Sequence, residues 1–150
     1  MRNDALPLLI DRARTLRDQL AAAAAQATQA LQQSEQTLDQ LGRFREETLA
    51  RCPTARVGGF SADRLHDWQR FMTRLDEALS LQRAECERRR QSLALRQQHL
   101  AEGQRRLMAF EALETRQAME RQRKQARQAQ RDSDEFAARA LRLQPTPETP

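Results

Sequence analysis

Apolar side chains recur at a strict interval of seven residues through the middle of the chain. The series is Leu65, Met72, Leu79, Cys86, Leu93, Leu100 and Leu107. A seven-residue apolar period is typical of α-helices that supercoil around a helical partner. A companion series is apolar at its ends, at Trp68, Leu75 and Phe110, and polar between them, at Gln82, Arg89 and Arg96. The pattern predicts one long helix over residues 61–143, with a seam that faces another helix.

An earlier tract carries a looser stripe of small or apolar residues, with gaps that are mostly three or four. Its members are Leu9, Ala13, Leu16, Leu20, Ala24, Ala27, Leu31, Ser34, Leu38 and Leu41. This spacing places them along one side of a helix. Asp4 is a plausible N-cap, and Pro7 falls in the first turn, where its missing N–H is not needed. The tract predicts a helix over residues 4–51.

Turn-forming residues are concentrated between the two tracts, in "RCPTARVGGFSADR" at 51–64. The segment holds an interior proline and the pair Gly58-Gly59, and it ends at Ser61, a good N-cap for the following helix. We therefore expect a turn over residues 52–60 that reverses the chain.

The fold class predicted is all-α, with two long helices that form an antiparallel coiled-coil hairpin. Aromatic residues are only 4% of the chain and charged residues 31%, so the apolar material suits a narrow seam rather than a wide core. Residues 1–143 are expected to be a single coiled-coil hairpin whose second helix is longer. The proline-containing end, 144–150, is expected to be a disordered tail.

A register follows if residues near 50 and 62 face each other, since position i then lies opposite about 112 minus i. This places Cys86 opposite about Gln26 and Gly42 nearly opposite Trp68. Cys86 is then a buried seam residue that lies too far from Cys52 for a disulfide. The first helix would end opposite about residue 108, so that residues 108–143, here called the C-terminal arm, would lack a partner within the hairpin.

The residue types argue against an enzyme or a metalloprotein. Cys52 and Cys86 lack metal-ligand spacing, and His66 and His99 are isolated. Glycine-rich phosphate loops and nucleophile motifs are absent from the sequence, so no catalytic residue, cofactor or metal is predicted. A net charge of +5 favours an anionic partner, either nucleic acid, an acidic protein face or a membrane surface. The sequence has no signal peptide or membrane-spanning stretch, so we expect a cytoplasmic protein.

Two surfaces stand out as candidate binding sites. Phe71, Leu75 and Ala78 follow one another at i, i+4 and i+7, which is compatible with seam packing or with a small docking stripe on which Phe71 faces solvent. In the C-terminal arm, basic residues that include Arg121, Arg123 and Lys124 form either a solvated helix face or a contact with an acidic protein surface. Phe136, further along, has no apparent local partner.

Three quoted segments together resemble the FliJ family of the bacterial flagellar export apparatus. They are "LGRFREETLAR", "WQRFMTRLDEALSLQR" and "DSDEFAARA". The resemblance implies an antiparallel coiled coil, similar to the rotor stalk of F-type ATPases, that is monomeric in isolation and inserts into the hexameric export ATPase ring. It also implies contacts with export chaperones and with the cytoplasmic domain of the export gate, at the inner-membrane face of the flagellar basal body.

On this resemblance the gate contact maps to Phe71, Leu75, Ala78 and Gln82. The ATPase ring contact is assigned to Arg121, Arg123, Lys124 and Phe136, because the C-terminal arm is the part without a partner in the hairpin.

Three alternatives remain at this point. A basic coiled coil can bind nucleic acid, although no aromatic residues are interleaved with the basic ones for base stacking. The stalk protein of a virulence type III secretion system would look similar. The heptads can also pair between two chains in a homodimeric scaffold.

Overall fold

The protein is described here by a computed structural model that covers residues 5–52 and 61–145. It contains helix α1, Ala5–Ala50, and helix α2, Ala62–Arg142. Within these ranges there is no strand, and the two helices pack against each other, which confirms the all-α prediction. The expected Asp4 cap, most of the expected turn and most of the expected tail lie outside the described residues.

Helix α2 begins where its capping residue predicts. The backbone N–H of Arg64 donates to the Ser61 hydroxyl oxygen at 3.4 Å and to the Ser61 carbonyl oxygen at 3.1 Å. Asp63 lies in the first turn, where the helix dipole favours a negative charge. The cap satisfies N–H groups that have no partner inside the helix, so Ser61 sets the first residue of α2.

The chain divides into two compact units, and Arg14–Gln104 forms the larger one. There, the two helices run antiparallel and the seven-residue series of α2 faces α1. Met72, Leu79 and Cys86 are buried, and Leu65, Leu93 and Leu100 are half-buried. The seam predicted from this period is therefore confirmed, and Cys86, only 1% exposed, is its most buried residue.

The second unit comprises Met1–Ala13 and Arg105–Pro150. Its core is a small cluster of Leu6, Ile10, Ala13 and Leu107, with Phe110 packed against it. Some side chains of α2 remain partly buried beyond this cluster. From residue 118 to the last described residue, every side chain is exposed.

Two members of the stripe predicted for α1 are wrong. Leu9 and Leu16 are exposed, whereas Leu6 and Ile10 are buried. The reason is that the start of α1 is apolar on several sides, so that three- and four-residue spacings fit more than one stripe. From Leu20 onward the predicted positions are buried or half-buried.

The predicted register is also wrong. Ser34, not Gln26, lies opposite Cys86, with Oγ and Sγ 3.3 Å apart, and Arg45 pairs with Asp76. Position i of α1 therefore lies opposite about 120 minus i, a shift of about two helical turns. The prediction assumed that the two helix ends face each other, but the end of α1 lies opposite the third turn of α2.

The shift moves Gly42 away from Trp68. Gly42 borders a surface depression together with Asp76, Leu79 and Arg83. A Cβ atom at this position would meet no heavy atom within 4 Å. Gly42 therefore does not make room for the indole ring of Trp68, as the earlier register predicted.

Gly103 allows a close approach of the helices that the periodicity did not reveal. It occupies the companion series, and a Cβ atom there would lie 2.8 Å from Cδ1 of Leu20 and 4.0 Å from Cα of Arg17. Any other residue would require Leu20 to move, so glycine lets the α1 backbone come close to α2 at this level.

Candidate functional site

The four residues assigned to the gate contact do not form one exposed stripe. Phe71 is 43% exposed, as the sequence predicted, whereas Leu75 is 7% exposed and belongs to the seam. Ala78 and Gln82 are half-buried. Helical spacing brings the four residues to one side of α2, but that side turns from solvent at Phe71 into the helix interface at Leu75.

The exposed part of this region is extended by a residue from the other helix. Phe44 of α1 is 48% exposed, and its ring meets that of Phe71 edge-on, with centroids 6.1 Å apart and planes at 86°. We call Phe44 and Phe71 the aromatic pair. Sequence reasoning missed Phe44 because it lies outside the α1 stripe; the pair is seen only once the register is known.

The Gln82 side chain of α2 forms hydrogen bonds with α1. Its side-chain Nε2 donates to the carbonyl oxygen and to the hydroxyl oxygen of Ser34, both at 2.9 Å. Ser34 is buried, and its hydroxyl group also contacts the Cys86 thiol. We call Ser34, Gln82 and Cys86 the polar layer. Its hydrogen bonds engage the amide nitrogen of Gln82 within the hairpin.

Ion pairs border the polar layer. Arg90 donates to Glu35 across the helix interface at 3.0 Å, and Glu85 accepts from Arg88 and from Arg89 on its own helix. Partial desolvation acts to raise the pKa of Glu85, but the two guanidinium groups outweigh it and hold that pKa below its ordinary value. These pairs are partly exposed, so each contributes little to stability.

A further cross-helix pair lies near the aromatic pair. Arg45 donates from Nε to Asp76 Oδ1, and this hydrogen bond, together with the negative charge of Asp76, raises the pKa of Arg45 further above its already high value. The guanidinium group is thus charged at any physiological pH. The pair links α1 to α2 beside Phe44 and Phe71, and because it is partly exposed it too contributes little to stability.

The residues assigned to the ATPase ring lie on a fully exposed helix. Arg121, Arg123 and Lys124 are exposed, and Phe136 is 76% exposed. Intrahelical contacts stabilise this part of α2, among them Gln128 with Asp132 at 2.8 Å and Gln130 with Asp134 at 2.9 Å. The structure therefore presents these side chains to solvent, on a helix that continues past the core of its unit.

Three further properties concern residues 5–52 and 61–145 only. Histidine, cysteine and acidic residues nowhere gather in groups of three or more that would suit a metal ion, and neither cysteine forms a disulfide. Neither helix contains an apolar stretch long enough to cross a membrane.

Comparison with known protein families identifies the family of this chain. The family model described as "Flagellar FliJ protein" matches residues 1–146. The chain belongs to the FliJ family. The sequence resemblance is thereby confirmed, and membership of this family makes the chain a component of the flagellar export apparatus. No curated protein matches the chain.

Proposed function

We propose that this FliJ-family protein is a stalk that binds the hexameric export ATPase, promotes assembly and activity of the ring, and contacts the export gate and export chaperones. It acts at the cytoplasmic face of the inner membrane, beneath the flagellar basal body. Family membership supports a role in export, and the observation that carries the stalk proposal is the exposed end of α2.

This end of α2 has the properties expected of a helix that works inside a protein ring. From residue 118 to Arg142 every side chain is exposed, and the region from 116 to 131 carries six basic residues against a single acidic one, Glu120. Distributed positive charge favours contact with an acidic collar and speeds encounter without a deep anchor. Phe136 supplies one apolar contact that a ring surface can bury.

The gate contact is proposed to be centred on Phe71. Leu75 and Gln82 are occupied by packing and by hydrogen bonds within the hairpin, so they support the surface from beneath. Ala78 is half-buried at its edge. A partner that docks here would bury the exposed face of Phe71 and, beside it, Phe44.

The ATPase proposal is tested by the rate of ATP hydrolysis of the purified export ATPase with the full-length protein. The triple variant Arg121→Glu, Arg123→Glu, Lys124→Glu should lose most of the stimulation, because three attractive contacts become repulsive. The residual effect should depend on salt, since exposed charges are screened over about 8 Å at physiological ionic strength.

The matched control is the triple variant Arg83→Glu, Arg105→Glu, Arg106→Glu, which reverses three exposed charges outside the proposed contact. It should stimulate like the unmodified protein. A deletion of residues 118–150, whose described residues are all exposed, should remain helical by circular dichroism and fail to stimulate. Full stimulation by the deletion variant would contradict the proposed role of this segment.

A further inference from the structure

Basic side chains line one side of the exposed end of α2. We call them the basic strip, and its members are Arg116, Arg123, Lys124, Arg127 and Arg131. At 100° per residue, these five positions fall within about 100° of one another around the helix axis. The opposite side at the same levels carries the uncharged residues Ala118, Gln122, Gln125 and Ala129. The positive charge of this segment is therefore concentrated on one side.

The cations of the basic strip are exposed and have no counter-charge. Within residues 5–52 and 61–145, none of the five forms an ion pair or a hydrogen bond with another residue. By contrast, the three acidic residues that follow the strip are engaged on their own helix, by Gln128, Gln130 and Arg139. From Arg116 to Arg131 the helix thus presents about 22 Å of positive charge to a partner.

An apolar groove opens at the first turn of the basic strip. It has a volume of about 340 Å³ and is lined by Ala109, Phe110, Ala112, Leu113 and Arg116. Phe110 packs against the core formed with the start of α1, whereas Leu113 is 43% exposed. The groove therefore has a supported floor and an accessible rim. At 100° per residue, its lining residues are centred on about the same side of α2 as the basic strip.

We propose that the groove and the basic strip together bind an acidic amphipathic helix of a partner protein. One apolar side chain of that helix fills the groove, and carboxylates at helical spacing pair with the cations of the strip. The inference goes beyond the proposed ring contact, because it names the chemistry of the partner segment and holds whichever export component supplies it. The two sites share Arg123 and Lys124, whereas Arg121 and Phe136 lie on other sides of the helix.

The spacing of charges along this side of α2 favours a helical partner. Arg116, Glu120, Arg123, Arg127 and Arg131 follow one another at gaps of four, three, four and four residues. A second helix that lies alongside presents its own side chains at the same intervals, so a carboxylate can face each cation in turn. Arginine binds a carboxylate through two parallel N–H groups, which makes the pairing directional.

Glu120 distinguishes this partner from a uniformly anionic surface. Its carboxylate lies within the basic strip and repels the headgroups of anionic lipids or the phosphates of a nucleic acid. A partner helix can place an uncharged residue at this level. A membrane-bound helix also needs a continuous apolar face, whereas no apolar residue follows Leu113 on this side before Arg131. Base stacking needs aromatic residues, and the strip contains none.

Fluorescence anisotropy of a labelled synthetic peptide with the full-length protein tests the site. The probe is an alanine-rich helix of about 20 residues with glutamates at the levels of the basic strip and glutamine at the level of Glu120. One leucine lies near its C-terminus, because antiparallel packing then places the glutamates in the N-terminal turns, where the helix dipole favours them.

A second peptide of the same composition carries its leucine on the opposite side of the helix. The first peptide should bind at least about tenfold more tightly than the second, because only its leucine reaches the groove. Equal affinities of the two peptides, or no binding of the first, would overturn the proposal.

Variants of the full-length protein locate the site. Arg127→Glu, Arg131→Glu should weaken binding of the first peptide by at least about tenfold. Leu113→Gln should also weaken it, whereas Leu113→Met should bind like the unmodified protein. The matched control Arg121→Glu, Arg139→Glu makes the same change of net charge about 110° around the helix from the strip. The control should lose less than about threefold, since salt screens its charges. Equal losses in the strip variant and the control would overturn the site.

Two other occupants are tested with the same proteins. Vesicles of phosphatidylglycerol probe a lipid surface, and sedimentation of the chain alone probes a second copy. Vesicle binding or self-association that is lost in Arg127→Glu, Arg131→Glu, without binding of the peptide, would overturn the proposal in favour of that occupant. Arg127, Arg131 and Leu113 lie outside the residues assigned to the ring contact. A failure of peptide binding therefore leaves the ATPase proposal standing, and stimulation of the ATPase tests that proposal separately.

Discussion

Gln82 reaches across the helix interface and donates its side-chain amide to both oxygen atoms of Ser34, each at 2.9 Å. A hydrogen-bonded polar pair inside an apolar seam is satisfied in only one register, because sliding one helix would leave buried polar groups unpaired. The polar layer therefore specifies which turns of α1 and α2 face each other.

Removing one hydrogen-bonding side chain from the polar layer should lower the free energy of unfolding more than removing both. We expect Ser34→Ala to lower the free energy of unfolding by about 1–2 kcal/mol, because Gln82 keeps the Ser34 carbonyl oxygen but loses its second acceptor. The double variant Ser34→Ala, Gln82→Leu should be close to the unmodified protein in stability. Urea denaturation of the single and double variants measures the coupling; additive losses would contradict it.

Alanine substitutions at Leu75 and at Phe71 should differ in their effect on stability, although the two residues are one helical turn apart. Leu75→Ala empties a buried position and should cost about 2–4 kcal/mol of unfolding free energy. Phe71→Ala loses only the edge contact with Phe44, about 0.5–1.5 kcal/mol, and exposed surface. Thermal melts of both variants provide the comparison.

The binding measurement for this pair uses the isolated cytoplasmic domain of the export gate. Phe71→Ala should weaken binding while the hairpin remains folded, and Phe44→Ala serves as its matched partner because it removes the other ring of the aromatic pair. Equal melting losses for Phe71→Ala and Leu75→Ala would show that Phe71 acts as a core residue.

The buried face of α2 was predictable because its leucines recur every seven residues among charged neighbours. The face of α1 was not predictable at its start, where Leu6, Leu8, Leu9 and Ile10 satisfy several spacings at once. Periodicity identifies a face only where the opposite face is polar. From Leu20 onward α1 meets this condition, and the prediction is confirmed there.

Pairing between the helices was harder to predict than either helix. The register depends on how the chain reverses and on contacts such as Arg45 with Asp76, which no repeat within one helix encodes. For the same reason the partner of Phe71 could not be identified: Phe44 lies beside it only in the observed register. The exposure of Phe71 itself was predictable from its place outside both series.

The two thiols should react at very different rates. Cys86 is buried in the polar layer, whereas Cys52 is half-buried at the end of α1. A thiol reagent should modify Cys52 first, and Cys86 only after the helices separate locally. In the Cys52→Ser variant the Cys86 thiol should react slowly, and its rate should rise when urea is added. The absorbance of the group released by the reagent follows the reaction. Fast modification of Cys86 in the absence of urea would show that the seam opens readily at this level.

The effect of Gly103→Ala on the free energy of unfolding should depend on whether Leu20 is present. Alanine in place of a helical glycine ordinarily stabilises by about 0.5–1 kcal/mol. Here the new methyl group would lie 2.8 Å from Cδ1 of Leu20, so Leu20 has to shift and Gly103→Ala should gain nothing or lose stability. In a Leu20→Ala background the obstacle is gone, and the same substitution should recover the ordinary gain.

Urea denaturation of the four proteins tests this expectation. Gly42→Ala is the control: a Cβ atom there meets no heavy atom within 4 Å, so this substitution should raise stability in either background. Equal effects of Gly103→Ala with and without Leu20 would show that the close approach of the helices at this level does not constrain the sequence.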